Sequence, residues 1–307
     1  MQLTESQRLL TYAFLKQAIV AVLYLVSGAV IHQFFTQQGI VSIVWPATGL
    51  ALGIVLIWGN AYLWGVTIGA FTLNYISNTS PWAICGMTLA NVAEIGLASH
   101  LLKTLIGRIN ETASLKQYLQ ITLRGGIACV LAAYLGSTSL FLAGYISASE
   151  IPEQGWYWWR GDFLGIVVFS PLILGVRQHW LRKSDRRSFV EALILLFTTW
   201  IFGQIVFLEW GSPYFRETPK GYLMFFFINL IALRSTLLTT SIAIVTIAIQ
   251  GLAGAILKIG FFGDDIDVAQ FDNYWMYMVI ISLVGITIST YVAELRNARN
   301  EAICSKG

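Results

Sequence analysis

Ten apolar stretches follow one another along the 307-residue chain, at roughly 12–34, 41–58, 61–76, 82–102, 125–146, 161–176, 189–210, 221–233, 236–257 and 274–293. This succession constrains the fold more than any single motif. A helical crossing of the hydrocarbon core takes about 20 apolar residues. Inside that core each backbone N–H and C=O must be satisfied within the protein, which leaves helices as the natural solution for runs of this length. The chain is 56% hydrophobic and only 11% charged, where a soluble domain is about a quarter charged. The expected fold is all-α, a polytopic transmembrane helix bundle. Only Gly59-Asn60 separates the second and third runs, and the eighth is short. Eight to ten spans are therefore expected, some of them tilted, broken or re-entrant. No repeat of the solenoid kind and no low-complexity tract is present.

The first run does not read as a cleavable signal peptide. Thr4-Glu5-Ser6-Gln7-Arg8 precedes it, Lys16 interrupts it, and no small-residue cleavage pattern comes after it. With the N-terminus in the cytoplasm, Arg8 and Lys16 fall inside or near it. Lys103, Arg108, Lys116 and Arg124 fall inside, as do Arg177, Arg182, Lys183, Arg186 and Arg187. Arg234, Arg296, Arg299 and Lys306 obey the same rule. Glu150, Glu153, Glu217, Asp264, Asp265, Asp267 and Asp272 fall outside. Both termini are expected in the cytoplasm, and Trp156 and its neighbours at the outer face.

Trp45-Pro46-Ala47-Thr48-Gly49 opens the second run. Proline suits the first turn of a helix, where its missing N–H would be unpaired anyway. Tryptophan suits the membrane boundary. Gly49 and Gly53, Gly65 and Gly69, and Gly161 and Gly165 are spaced four apart, which lets a second helix backbone come close. Tight packing without a ligand is the plain reading of these glycines. Asn91 and Glu94 lie three apart near the middle of the fourth run and share one helix face. A carboxylate there costs several kcal/mol unless it is protonated, paired or hydrated. Glu94 either bonds to a neighbouring helix or lines a cavity that takes a ligand or responds to protons.

Trp156-Tyr157-Trp158-Trp159-Arg160-Gly161-Asp162-Phe163-Leu164-Gly165 sets aromatic rings, a cation and a carboxylate where an apolar run begins. Asp162 is expected in the first turn of that run, where it would complement the helix dipole. It either caps the helix or belongs to a stimulus site with Arg160 and Trp159. A direct Arg160–Asp162 pair would need a kink at Gly161, because residues two apart on a helix do not face each other. The tryptophans form an interfacial belt or the wall of an aromatic site. Pro171 is expected to end or kink the run.

Asp264-Asp265-Ile266-Asp267 lacks the spacing of a calcium loop and reads as a solvated outer loop. Beyond the last run, Tyr291, Leu295, Ala298 and Ala302 continue at helical spacing among Glu294, Arg296, Arg299 and Glu301. This is an expected connector helix (294–307) after a membrane domain (1–293), with a narrow apolar seam suited to a homodimer. Cys85 and Cys129 read as packed thiols, and Cys304 has no paired spacing. His32, His100 and His179 show no metal spacing. No metal or cofactor is expected. No P-loop, G-x-S-x-G elbow or HExxH motif occurs, and no soluble stretch is long enough for a kinase or cyclase domain. The expectation is a protein that is not an enzyme and has no nucleic-acid partner.

Val44-Trp45-Pro46-Ala47-Thr48-Gly49-Leu50-Ala51-Leu52-Gly53, and Trp159-Arg160-Gly161-Asp162-Phe163-Leu164-Gly165 with Pro171 after it, resemble the first type of bacterial membrane-associated sensor domain, MASE. The resemblance covers roughly residues 10 to 300. It implies a multi-pass protein of the bacterial plasma (inner) membrane, with membrane lipid around it. It also implies a cytoplasmic histidine kinase or cyclic-di-GMP enzyme as output, of the two-component or cyclic-di-GMP kind. A relation to the hexose-phosphate sensor kinase implies a transporter-like partner. No output domain follows Gly307, so the output is expected to be either fused in a longer chain or separate.

Two functions fit these residues. One is a sensory module that relays an outer or intramembrane stimulus through its last helix, with Trp159, Arg160, Asp162, Glu94, Asn91 and Trp45 as stimulus candidates. The motif residues Pro46, Gly49, Gly53, Gly65, Gly69, Gly161, Gly165 and Pro171 would then set the packing. The other is a small-molecule transporter or substrate-binding membrane subunit, which broken spans and a midspan carboxylate also suit. A bare membrane anchor is the simplest reading.

Overall fold

The computed structural model describes residues 5–35, 42–77, 79–104, 114–181, 186–211 and 220–305. Arg108, Arg182, Lys183, Glu217 and Lys306, which entered the charge pattern, lie outside the described residues, as do the side chains of Arg8, Arg186, Arg187 and Cys304. Among the described residues every regular element is helical. In order these are α1 (Glu5–Phe35), α2 (Pro46–Trp58), α3 (Leu63–Ile76), α4 (Pro81–Leu101), α5 (Leu115–Leu142), α6 (Ile151–Leu181), α7 (Arg186–Leu208), α8 (Lys220–Arg234), α9 (Leu237–Leu257), α10 (Asp265–Ala269) and α11 (Asp272–Cys304).

Seven of the helices described are long and apolar enough to cross a membrane: α1, α4, α5, α6, α7, α9 and α11. The apolar helices Pro46–Trp58 and Gly221–Arg234 are shorter. The sequence count of eight to ten includes such short runs. Gly59, with φ +97, separates α2 from the short turn that leads into α3. A side chain is strained in that conformation, so glycine is the residue that lets the apolar chain turn there.

The chain divides into two compact units, one of residues 1–108 and 121–166, the other of residues 109–120 and 167–307. In the first unit α3 packs on α1 through its spaced glycines. A Cβ at Gly65 would lie 2.8 Å from the Gln17 carbonyl, and one at Gly69 would lie 2.7 Å from that of Ala21. Bare glycine is what admits a helix at that distance. Gly86 of α4 meets Ser139 of α5, and Gly126 and Gly136 of α5 receive the rings of Phe163 and Trp158 from α6. Cys129 is buried in α5, whereas Cys85 is exposed on α4, contrary to its reading as a packed thiol. A small residue preceding Gly86 on a helix surface needs no packing partner.

In the second unit Gly175 of α6 sits against the backbone of Leu238 at the start of α9. The Gln250 amide of α9 donates to the Trp200 carbonyl of α7 at 2.9 Å. Tyr274 and Tyr277 of α11 donate to the carbonyls of Ala248 and Gly221. Phe207 stacks on Phe262 with centroids 5.6 Å apart. The acidic segment is not the solvated loop expected. Asp265 is buried and accepts from the Tyr274 amide and from Asn273, both at 2.8 Å. It thereby fills a role that the first turn of α11 needs, since the opening N–H groups of a helix have no partner in the helix itself. Asp267 pairs with Lys258 at 2.7 Å on the surface.

α11 has 33 residues, a length of about 50 Å. That exceeds a hydrocarbon core of about 30 Å. Arg296, in its last third, donates to the Leu233 carbonyl at the end of α8 at 2.6 Å. Around and beyond it Leu295, Ala298 and Ala302 are exposed.

Candidate functional site

α6 begins ten residues before the apolar run that marks it in sequence. The polar residues Glu153 to Asp162 are absorbed into one helix of 31 residues. Asp162 is therefore not in a first turn and does not cap the helix. It lies in the middle of α6 and is 1% exposed. Pro171 does not end the helix either, which runs ten residues further. The proline removes one backbone donor, and its neighbours keep the helix through that gap.

The spaced glycines of α6 explain how the carboxylate is reached. A Cβ at Gly161 would collide with the Ser42 carbonyl, and one at Gly165 with the carbonyl of Trp45. The extended segment 42–45 thus lies directly on the α6 backbone. The Trp45 amide donates to the Gly161 carbonyl at 2.9 Å. Pro46 then starts α2, and the following turn brings Thr48 onto Asp162. The Thr48 hydroxyl lies 2.9 Å from Asp162 Oδ1 and 3.3 Å from Glu94 Oε2. Glu94 is fully buried, with the Cys129 thiol of α5 and the Asp162 carboxyl within bonding reach. Four helices thus contribute one polar group each to a single cluster.

One threonine hydroxyl carries one proton, so it serves one carboxylate at a time. The second carboxylate needs a proton or a cation from elsewhere, because an uncompensated buried charge is costly. Asn91 Oδ1 is buried without a hydrogen-bond partner, while the Asp162 carboxyl has Glu94 and the Trp158 side chain within bonding reach as well as Thr48. Among the described residues no group of three or more His, Cys, Asp and Glu is placed to hold a metal ion.

A narrow space of about 50 Å³ adjoins Asp162 and Asn91, walled by Trp45, Trp158 and His32. His32, Asn74 and Met87 also line a wider cleft of about 510 Å³, which extends past Ser77, Thr79 and Tyr145. Those last residues lie at the ends of α3 and α5 and just before α4. The cleft thus runs from one end of the first unit towards the middle of α6.

Of the stimulus candidates, Asp162, Asn91 and Trp45 line the narrow space, and Glu94 stands behind it through Thr48. Trp159 does not line it. Its indole donates to the Gly126 carbonyl at 2.9 Å and stacks between Trp156 and Phe163. Arg160 is buried with its guanidinium 5.9 Å from the Tyr157 ring centre. The unbroken helix removes the Gly161 kink that would have turned it towards Asp162. Gly49 and Gly53 are buried in α2. Trp158, given in sequence as belt or aromatic wall, lines the space, whereas Thr48, Asn74, His32 and Cys129 were not nominated as site residues. Thr48 and Asn74 did carry a signal, as polar side chains inside apolar runs.

The MASE1 family model matches residues 17–296, and this span holds every residue of the cluster. The chain belongs to the MASE1 family. It is thus a membrane sensory module, and the MASE1 domain is not itself catalytic. Seven membrane-length helices fit a multi-pass protein of the bacterial inner membrane. No curated protein and no solved structure matches the chain.

Proposed function

We propose that this MASE1 chain senses a stimulus in the cleft of its first unit and relays it through its last helix to a cytoplasmic histidine kinase or cyclic-di-GMP enzyme, fused or separate. The observation that carries the reading is the buried Thr48–Asp162–Glu94 cluster at the head of an open cleft. Intramembrane carboxylates are expensive and tend to mark sites of function. The charge pattern supports both termini in the cytoplasm, which puts the mouth of the cleft, near Ser77 and Tyr145, on the outer side.

A relay needs an element with two packings of similar energy and a stimulus that favours one of them. α6 carries Asp162 and continues to Leu181. Its Gly175 bears on the start of α9, and α9 packs on α11. A small displacement at Asp162 has a continuous route to α11 along these contacts. The part of α11 from Glu294 to Cys304 begins the connector, and the exposed seam of Tyr291, Leu295, Ala298 and Ala302 suits pairing with a second copy.

The test couples the full chain to a cyclase output in cells and replaces Asp162 by Asn and Glu94 by Gln. Output should lock in one state at unchanged membrane abundance. If both variants keep the normal range of output, the cluster is not the stimulus site. Replacement of the whole chain by an unrelated multi-pass anchor separates sensing from anchoring.

A further inference from the structure

We propose that the cleft binds a primary ammonium compound, with its –NH3+ group held by Asp162 and Asn91 in the narrow inner space and its polar body in the wider one. The inference rests on the stimulus-site reading for its location and adds the chemistry of the occupant.

Size is the first argument. The inner space of about 50 Å³ admits a small polar group. A primary ammonium fits there and brings N–H donors, which a trimethylammonium lacks. Hydrogen bonding is the second. Asn91 Oδ1 is a buried acceptor without a partner, the Asp162 carboxylate keeps acceptor capacity beyond its Thr48 and Trp158 contacts, and both residues line this space. An –NH3+ group brings three donors and no acceptor. Charge is the third. Thr48 can satisfy only one of the two carboxylates, and a cation beside Asp162 offsets the cost of the second. Trp45, Trp158 and His32 wall this space, with the Trp158 side chain itself within bonding reach of Asp162. The wider cleft is lined by Gln33, Asn74, Ser77, Thr79 and Tyr145, which favours a polar rather than a greasy body.

The experiment measures binding to the full chain in lipid nanodiscs, by calorimetry and tryptophan fluorescence. The probes are ethanolammonium, its neutral counterpart ethylene glycol, and choline, its quaternary counterpart. Ethanolammonium should bind saturably, choline at least about tenfold more weakly, and ethylene glycol not measurably. Asp162→Asn should weaken ethanolammonium by about tenfold to a hundredfold, the scale of a lost bond to a charged group. Ser77→Trp fills the outer cleft without touching the carboxylates and should abolish binding, so the test stands even where Asp162→Asn does not fold. Gel filtration and helical content check the fold of each variant. Absence of saturable ethanolammonium binding, equal binding of ethylene glycol, or wild-type affinity in both folded variants overturns the inference. Failure of this kind leaves sensing intact if Asp162→Asn still changes output. Binding without any change of output overturns the sensing reading instead.

Discussion

Thr48 and Asp162 stand 114 positions apart in sequence, and a 2.9 Å hydrogen bond joins them where neither is open to solvent. The bond depends on two earlier features. Gly161 and Gly165 let the segment before α2 lie on the α6 backbone, and the Trp45 amide fixes its register on Gly161. The two motifs Trp45–Gly49 and Trp159–Gly165 are thus parts of one contact.

Removal of the hydroxyl should therefore be costly. Thr48→Val keeps the shape of the side chain and leaves two buried carboxyl groups without their shared donor. A loss of about 1–3 kcal/mol is expected for such an unsatisfied group. Thr48→Ser, which keeps the donor, should stay within about 1 kcal/mol of the wild type. Thermal unfolding of the purified protein in detergent checks both, and equal stability of Val and Thr at position 48 would show that the hydroxyl does not hold the cluster.

Gly165→Ala tests the close approach itself. The added methyl would meet the Trp45 carbonyl, and neither backbone can yield without shifting α2. Overpacking of this kind costs about 1–3 kcal/mol. Gly96→Ala is the control, because nothing lies within 4 Å of its Cβ position. There the gain in helix propensity, up to about 1 kcal/mol, is unopposed. The two variants should move the melting temperature in opposite directions, and a shift in the same direction would be contrary to the packing described.

The fold class was legible in the sequence because apolar length reports directly on membrane helices. Helix ends were less so. α6 begins at Ile151, not near Gly161, and its exposed or half-buried first turns carry no apolar run to mark them in sequence. That difference turned Asp162 from an expected helix end into a buried centre. Glu94 and Asn91 could be nominated from their midspan position alone. Cys129 could not, since a cysteine in an apolar run is ordinary until tertiary packing sets it beside a carboxylate, and Thr48 offered only the weaker signal of a polar side chain in such a run. Arg160 and Trp159 were nominated as neighbours of Asp162 in sequence, and helix geometry turns both to other faces.

Asp265 gives a prediction confined to the second unit. Its carboxylate accepts from the Tyr274 amide and the Asn273 side chain. Asp265→Ala should cost about 0.5–2 kcal/mol, as the loss of a helix-capping acceptor does. Asp267→Ala, which loses an exposed pair with Lys258, should cost under about 1 kcal/mol. Stability measured by chemical denaturation in micelles should rank the two in that order. The reverse order would mean that the surface pair, not the buried cap, fixes the start of α11.

The last helix allows a test of relay that does not depend on knowing the stimulus. Arg296 ties α11 to the end of α8, and the residues from Ala298 to Ile303 are exposed. Alanines inserted after Ala298 leave that tie in place and rotate everything beyond it by about 100° each. If α11 passes on a rotation or a fixed register, one or two alanines should invert or abolish output from a coupled cyclase. Three or four, which bring the face back to within about 60° of its starting direction, should restore much of it. A connector that merely tethers its output has no phase, so insertions of one to four residues would all give the same activity. Output that varies with the helical period at constant protein abundance supports relay, and output independent of insertion length supports the anchor.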